Sequence, residues 1–548
     1  MSNNSAQLAT RLLTSLAATF GAYGAYKALS FFYDNWTSTI RRLPGPPSSS
    51  FIWGNMKEIF DAENSTLHEQ WVKEYGKTIR YKGILGMNRL YTTDLKAINH
   101  VLMNNYIYQK PAAARFGLSQ ILGNGVLVTE EDKHKQQRRI MNPAFGAGQI
   151  RELTGVFFEK AIELRDAWMS QIQSKEDKGA AETINVLAWL SRTTLDVIGL
   201  AGFSYKFNAL AHGEDASELM KAFSKIFESG ASFSIIPFLR GMFPALRWLP
   251  AERDADTKEA RATMDRIGRE LLIETKTDLK KSGRVDKDSL KARDLLTILV
   301  RANMATDIPE HQRMSDTDVL AQVPTFLVAG HETTSTSTTW ALYALSKDLE
   351  VQRKLREELL QVSTDDPTMD ELNALPYLDA VTRETLRLHA PVSSTLRVAV
   401  KDDTIPLSTP VTDRDGKTHE YLHVRKGQTL FVPIVPINRD AAIWGEDGHE
   451  FKPERWESVP ARASAIPGVW GNSLTFLGGP RACIGYRFSV IEMKAILFTL
   501  IRAFEFEFAV PVEDIGKKST LVSRPFLRSD PKAGNQLPLK VRPYARPL

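Results

Sequence analysis

The chain has 548 residues and a single cysteine, Cys483. One cysteine excludes an intrachain disulfide, which suits a domain that faces the cytosol. Residues 1–33 contain no acidic side chain. No glycine-rich GxGxxG loop stands between a predicted strand and a helix, and no flavin domain is evident. The chain therefore lacks a nicotinamide or flavin domain of its own.

What is present is the composition of an ordinary globular protein. Hydrophobic residues make up 43% of the chain and charged residues 25%. Neither a change in composition nor an internal repeat divides residues 51–548, so we predict one large folding unit there. A net charge of +5 with a pI near 8.9 is mildly basic. It lacks the concentrated basic stripe of a nucleic-acid-binding protein, and an anionic partner or a membrane surface is expected instead.

The N-terminal segment has the pattern of a membrane anchor. Residues 12–26 form an uncharged run of 15 residues, and extension to residue 33 gives 22, close to the ~20 that span a bilayer. Arg41 and Arg42 follow, which favours a cytosolic location for the rest of the chain. We predict an anchor over residues 1–33, with an organelle transit peptide as the alternative. Residues 34–50 form a basic, proline-rich hinge, because prolines favour a stiff, extended chain.

Hydrophobic periodicity predicts a mainly α protein with minor β content. Alternating segments at residues 78–81 and 88–92 predict a small sheet, and the polar residues 276–291 predict a loop. Amphipathic helical patterns occupy residues 148–172, 183–201, 254–281, 340–361 and 377–389.

One helix is predicted to cross the whole domain. Ser315 and Asp318 have the spacing of a capping box before an apolar pattern over residues 317–346. At 1.5 Å per residue such a helix is about 45 Å long. Pro324 lies inside it and predicts a kink one or two turns before Ala329.

The only cysteine lies in a glycine-rich loop, FLGGPRACIG at residues 476–485. A lone cysteine is most often a small buried hydrophobe. Here Gly479 and Gly485 allow a tight turn around the sulfur, a helix begins nearby, and Arg481 is two residues away. These features favour a thiolate, which is what an axial ligand to haem iron requires.

Five residues of this loop, Phe476, Gly479, Arg481, Cys483 and Gly485, match the haem-binding signature of the cytochrome P450 family. The chain thus resembles a haem-thiolate monooxygenase, most like the fungal microsomal members. The resemblance implies the mainly α P450 fold with small sheets, a catalytic domain over residues 51–548, haem b and an iron bound by Cys483. It also implies electrons from NADPH through a separate cytochrome P450 reductase, with cytochrome b5 as a further candidate partner.

The motif AGHETT at residues 329–334 matches the family's oxygen-activation motif. By that resemblance Gly330 lets the helix approach the flat cofactor, Thr333 passes on a proton, and Glu332 is a nearby acid linked to solvent. The alternative is a polar patch on a buried helix whose threonines bond to their own backbone.

A second resemblance concerns Glu384, Arg387 and Arg455, which in the family form a buried structural triad behind the haem. The spacing alone is weak, because Glu350 and Arg353 share it, and such pairs are usually exposed and contribute little stability.

Haem propionates need cations, and arginine suits carboxylates. Arg138, Arg397 and Arg481 resemble the family's propionate donors. His134 stands where the family usually has tryptophan, and either a propionate contact or a structural role is open for it.

The resemblance also points to two surfaces. A basic face for an acidic reductase, with a plain solvated surface as the alternative, comprises Lys133, Lys135, Arg139, Arg487 and Lys494. A substrate chamber is expected from residues 115–126, 326–333, 392–396 and 522–526. The apolar residues 233–248 correspond to a lid that dips into the membrane, or alternatively to a buried loop.

The sequence therefore predicts an endoplasmic-reticulum monooxygenase that inserts one oxygen atom from O2 into a hydrophobic substrate, in terpenoid or polyketide metabolism or in the oxidation of polycyclic aromatics. A mitochondrial location is the alternative. Three other activities stay open: a P450-fold isomerase or dehydratase acting on peroxides, a non-catalytic haem sensor, and a hydrolase with a cysteine nucleophile.

Overall fold

The computed structural model describes residues 2–63, 65–174, 181–211, 235–252, 254–281, 294–305, 309, 313–519 and 521–545. Helices dominate the fold. The α-helices in chain order are α1 Ser2–Trp36, α2 Met56–Asp61, α3 Thr66–Tyr75, α4 Leu95–Met103, α5 Ala112–Leu122, α6 Glu131–Met141, α7 Ala147–Gln173, α8 Val186–Phe203, α9 Ile235–Met242, α10 Asp254–Lys281, α11 Leu295–Met304, α12 Asp316–Lys347, α13 Leu349–Leu360, α14 Met369–Asn373, α15 Pro376–Leu388, α16 Ile434–Arg439, α17 Ala441–Trp444 and α18 Tyr486–Ala503.

The strands form small, separate sheets. The largest has the order β1-β2-β8-β5-β3, in which β2 and β8 are parallel, and a smaller one has the order β4-β12-β9. Two hairpins, β6-β7 and β10-β11, complete the set. The strand bounds are β1 Thr78–Lys82, β2 Asn88–Thr92, β3 Tyr108–Gln109, β4 Glu182–Asn185, β5 Ser394–Ala399, β6 Asp403–Thr412, β7 Thr418–Val424, β8 Thr429–Pro433, β9 Phe504–Phe508, β10 Ile515–Ser519, β11 Ser523–Leu527 and β12 Pro538–Pro543.

The predicted long helix is α12, here called the central helix. The Ser315 side chain accepts from the Asp318 amide, and the Asp318 carboxylate accepts from the Ser315 amide, so the capping box is confirmed. The helix is continuous through Pro324 and is buried along most of its length. It packs against α8 and α18 in the main hydrophobic core.

Three predicted elements need correction. The pattern at residues 183–201 is a strand, β4, followed by α8. The pattern at residues 340–361 is two helices, because the Asp348 carboxylate accepts from the Val351 amide at 3.1 Å and so caps a new helix. Of the predicted loop at residues 276–291, the first six residues belong to α10, and the rest lies outside the described residues.

The N-terminal helix α1 is 35 residues long and exposes many large apolar side chains. Within the described ranges, the helix that has both the length and the mean hydropathy of a membrane span is α8, which is mostly buried in the core. The hinge that follows α1 is bonded to the catalytic domain, since the Arg80 amide donates to the Pro44 carbonyl at 2.8 Å and Arg414 donates to the Gly45 carbonyl at 2.7 Å.

A carboxyl group is buried between the central helix and α18. Glu492 on α18 is fully buried, and neither carboxyl oxygen has a hydrogen-bond partner in the described part of the chain. Burial raises the pKa of Glu492 well above its ordinary value, and the nearby Thr334 hydroxyl opposes this only in part. The folded protein therefore favours the protonated acid.

This burial makes the free energy of unfolding depend on pH. Above about pH 4.3 the unfolded state releases the Glu492 proton while the folded state keeps it, so stability falls by up to ~1.4 kcal/mol per pH unit until the folded pKa is reached. Glu492→Gln removes this term. We expect the stability of the variant relative to wild type to rise from pH 5 to pH 7 in denaturant titrations followed by circular dichroism. The exposed control Glu457→Gln should show the same pH dependence of the free energy of unfolding as wild type. If the two variants depend on pH in the same way, the raised pKa of Glu492 is contradicted.

Candidate active site

The cysteine loop, residues 476–485, turns sharply at Gly479. Gly479 has φ +67°, and a Cβ there would lie 2.5 Å from a carbonyl oxygen of α4, so only glycine fits. The Cys483 amide donates to the Phe476 carbonyl at 2.8 Å. Helix α18 starts directly after Gly485. The sulfur thus precedes a helix N-terminus, as the sequence predicted.

Cys483 lies deep in the protein, yet its side chain is accessible to solvent, so it lines an interior cavity. Burial raises the pKa of the Cys483 thiol, while the Gly485 amide and the Arg138 guanidinium act in the opposite direction. The expectation that Arg481 stabilises the thiolate is wrong, because Arg481 pairs with Glu130. The protein alone favours the thiol, and metal coordination would displace its proton.

The central helix faces the same interior. Ala329 is exposed in the middle of an otherwise buried stretch of this helix. Thr333, one turn later, donates its hydroxyl proton to the Ala329 carbonyl at 2.7 Å. This is the backbone bond that the alternative reading of the motif predicted, and it leaves lone pairs on Thr333 Oγ1 that can accept a further hydrogen bond.

Side-chain contacts join the central helix to the cysteine loop and to the start of α18. The rings of Phe145 and Phe326 stack with centroids 5.3 Å apart, and a Cβ at Gly485 would lie 3.6 Å from the Phe145 ring. Thr334 Oγ1 is 3.1 Å from Ser489 Oγ on α18. These contacts place the central helix beside the cysteine loop and the start of α18.

Two residues of the predicted site serve packing. A Cβ at Gly330 would lie 2.9 Å from Ile198 Cγ1, so Gly330 allows α8 to approach the central helix. This contact with α8 was not predicted from the sequence, and the role of Gly330 toward the cofactor stays a prediction. Phe476 is buried and packs edge-on against Trp470, with ring centroids 5.7 Å apart.

Glu332 does not face solvent, contrary to the prediction. It is 7% exposed and forms an ion pair with Arg524 of β11. Sequence reasoning placed residues 522–526 at the chamber but missed Arg524. The available signal was a lone arginine in a segment otherwise expected to be apolar.

His331 lies in contact with Glu332, Nε2 being 3.0 Å from Oε1. His331 Nδ1 lies 2.8 Å from the Leu327 carbonyl oxygen, which only accepts, so Nδ1 carries a proton. Burial lowers the pKa of His331 to about 4; the bond to Leu327 raises it and Arg524 lowers it. The ring is therefore neutral at physiological pH, with Nε2 as an acceptor beside the Glu332 carboxyl group.

A cluster of cations lies beside the cysteine loop, with Arg397 buried and the other members half-buried. It is here called the cation cluster and comprises Lys110, Arg115, Arg138, Arg397 and Arg481. Burial lowers the pKa of Arg397 to about 10, and burial with Arg115 does the same for Arg481. Burial, Arg397, Arg481 and Arg115 together lower the pKa of Lys110 well below its ordinary value. Among the described residues, the acid paired with this cluster is Glu130.

This donor set fits haem. The excess of buried positive charge suits two propionates, and the accessible thiol suits an axial ligand. Within the described ranges, no group of three or more His, Cys, Asp or Glu side chains could hold a bare metal ion.

His134 lies at the edge of the cation cluster. It is buried, and burial, Arg138 and Lys110 lower its pKa to about 4, so the ring is neutral. Lys110, like Arg115, carries no motif in the sequence that could have identified it as part of the cluster.

Comparison with known proteins agrees with this site. The family described as Cytochrome P450 matches residues 44–528. The chain belongs to the cytochrome P450 family. Relatives include cytochrome P450 monooxygenase 205 of Postia placenta, 54% identical over 539 residues, covering 98% of this chain and 99% of the relative. Cytochrome P450 monooxygenase claP of Ampulloclitocybe clavipes is 38% identical over 511 residues, covering 91% and 92%. The predicted family, fold and enzyme class are confirmed.

The P450 triad residues come together as the resemblance implied. Arg387 makes a two-pronged contact with Glu384, both bonds being 2.8 Å long, and Arg455 Nε lies 3.4 Å from the same carboxylate. All three side chains are buried. By contrast, Glu350 and Arg353 pair at the surface.

The basic face is smaller than predicted. Lys135, Arg139 and Arg487 are exposed. Lys133 is bound to Asp318 at 2.5 Å. Lys494 is wrong as a surface residue, because it is 2% exposed and is paired with an aspartate of α15 at 2.8 Å.

The segments predicted to line the substrate chamber differ in structure and exposure. Helix α5 covers most of residues 115–126, and Val392 is exposed beside the buried Ser393. Of the predicted lid, α9 and the following turn are described, with Trp248 76% exposed, while residues 233–234 lie outside the described ranges.

The matched ion pairs give a direct test of the triad. Arg387→Gln leaves the buried Glu384 carboxylate without its main partner and should lower the free energy of unfolding by about 3–5 kcal/mol. Arg353→Gln breaks a pair of the same spacing at the surface and should cost less than about 1 kcal/mol. Denaturant titration of both holoproteins measures the difference, and equal losses would show that burial is irrelevant to the triad.

Proposed function

We propose that this P450 monooxygenase inserts one atom of O2 into a hydrophobic organic substrate, with electrons from NADPH delivered by a separate reductase. The observation that carries the proposal is the solvent-accessible Cys483 thiol in a loop that packs beside the central helix, the helix that carries Ala329 and Thr333. Bound haem would supply oxygen activation at an iron held by Cys483. Arg138, Arg397 and Arg481 would hold its propionates, with His134 beside them.

Proton supply is assigned to the central helix. Glu332 is the proposed proton donor, and its Oε1 lies 3.0 Å from Nε2 of His331. Thr333 Oγ1 is anchored by its bond to Ala329 and keeps acceptor capacity toward the cavity. In the proposed relay the proton leaves the Glu332–His331 pair and reaches the cavity through the Thr333 hydroxyl.

Arg524 is a positioning residue in this proposal. Its guanidinium holds the Glu332 carboxylate on the inner side of the helix. A fixed cation beside the carboxylate also favours its ionised form, which helps Glu332 to pass on each proton that it takes up.

The partners and location follow from surface chemistry. Lys135, Arg139 and Arg487 are exposed cations suited to an acidic reductase or to cytochrome b5. The exposed apolar side chains of α1 support a single-pass anchor in the endoplasmic reticulum with the catalytic domain in the cytosol, mitochondria being the alternative. The proposed substrate is a product of terpenoid or polyketide metabolism or a polycyclic aromatic, as expected from the resemblance to fungal microsomal members.

The spectrum of the reduced protein under carbon monoxide tests the ligand. Wild type should show the strongly red-shifted Soret band of thiolate-ligated haem, and Cys483→Ser should lose it while staying folded by circular dichroism. If folded, haem-loaded wild type lacks this band, the monooxygenase proposal fails and a haem-binding sensor remains.

Adjacent threonines test the proton relay. Thr333→Val removes the hydroxyl at the cavity and should lower product formed per NADPH consumed at least about tenfold, with hydrogen peroxide rising instead. Thr334→Val is the control, because that hydroxyl faces Ser489 and not the cavity. The measurement uses a substrate identified by its effect on the Soret band. Equal coupling in both variants would remove Thr333 from the relay.

A further inference from the structure

A cavity of about 560 Å³ lies where α1 meets the catalytic domain. Its walls come from the last turns of α1, from the hinge and from the end of β1. Phe32, Trp36, Arg41, Phe51 and Lys82 line it together with the serines at residues 48–50. Its volume is in the range of small-molecule sites.

The floor of this cavity is fixed by hydrogen bonds. Asn35 donates to the Gly86 carbonyl at 2.8 Å and accepts from the Asn88 amide at 2.9 Å, which ties the end of α1 to β2. Lys82 Nζ donates to Asn88 Oδ1 at 2.7 Å. The ammonium group is therefore held in place beside the end of the helix.

The cavity is cationic. Arg41 and Lys82 line it, and no carboxylate stands among its lining residues. Arg80 and Arg414 lie close by: burial, Arg80, Arg41 and Arg414, in that order, lower the pKa of Lys82 to about 8. The Arg80 side chain is 6% exposed, and its Nε has no hydrogen-bond partner in the described part of the chain. The residues that line the cavity therefore carry positive charge and no negative charge.

Apolar surface adjoins these cations. Trp36 is 68% exposed, Phe51 71% and Phe32 48%. The Arg41 guanidinium lies over the Trp36 ring, 3.8 Å from its centroid. Exposed aromatic rings beside cations are typical of the level of lipid headgroups.

We propose that this cavity binds the phosphate of an anionic phospholipid, with the acyl chains lying along the exposed apolar face of α1. Arg41 and Lys82 contact the phosphate, and Trp36 and Phe51 contact the start of the chains. The proposal rests on the anchoring of α1 in a membrane. It gives the catalytic domain a fixed orientation to the bilayer, since the bound lipid touches both α1 and β1.

Flotation of the full-length holoprotein with lipid vesicles tests the site. One set of vesicles is phosphatidylcholine alone, and the other also contains phosphatidylserine. The site variant is Arg41→Gln with Lys82→Gln. The control is Arg42→Gln with Lys57→Gln, which removes the same charge from exposed residues nearby that do not line the cavity. Carbon monoxide spectra verify that each variant is folded.

We expect phosphatidylserine to strengthen the binding of wild type, and the site variant to lose at least about fivefold more of this gain than the control. Nonspecific attraction predicts equal losses, because each cation near an anionic surface contributes similarly. Equal losses therefore overturn the proposal. So does a loss of the phosphatidylserine gain when inorganic phosphate is added, which would identify a site for free phosphate. Failure of wild type to float with either vesicle would instead overturn the anchoring of α1.

Discussion

The buried ion pair of Glu384 and Arg387 holds the cysteine loop in place. Arg387 also donates to the Asn438 carbonyl at 2.8 Å. The Asn438 side chain in turn accepts from the Leu474 amide at 2.8 Å and donates to Thr475 at 2.9 Å. The turn that carries the Cys483 sulfur begins two residues after Leu474. A charge pair that cannot be left unmatched in the interior thus fixes the start of a loop far from it in sequence.

The same balance of charge organises the cavity. On the side of the cysteine loop, buried cations exceed buried acids, and the cost of this arrangement is relieved by an anionic ligand. On the side of the central helix, one carboxylate is matched by Arg524 and by the ring of His331. The molecule therefore places an excess of positive charge beside the cysteine loop and a balanced ion pair on the central helix.

Features encoded in a few adjacent residues were predictable from the sequence. The turn at Gly479, the capping box at Ser315 and the triad partner Arg387 depend on local spacing, and each was found where expected. Arg524 was missed because its partner lies 192 positions away and no spacing rule connects them. Periodicity assigns a residue to a helix but not the neighbour it meets, which is why the contact of Gly330 with α8 was not predicted. Lys494 was misplaced because a charge in an apolar helix was taken as exposed.

The ion-pair partner of Glu332 lies on the β10-β11 hairpin and not on the central helix, which couples the hairpin to the protonation of Glu332. Arg524 belongs to β11, and the same segment borders the expected substrate chamber. Any molecule whose binding displaces this hairpin alters the proton affinity of the carboxylate. By reciprocity, protonation of that carboxylate alters the affinity for the molecule by the same factor. Ligand binding in the chamber and protonation of Glu332 are thus thermodynamically coupled.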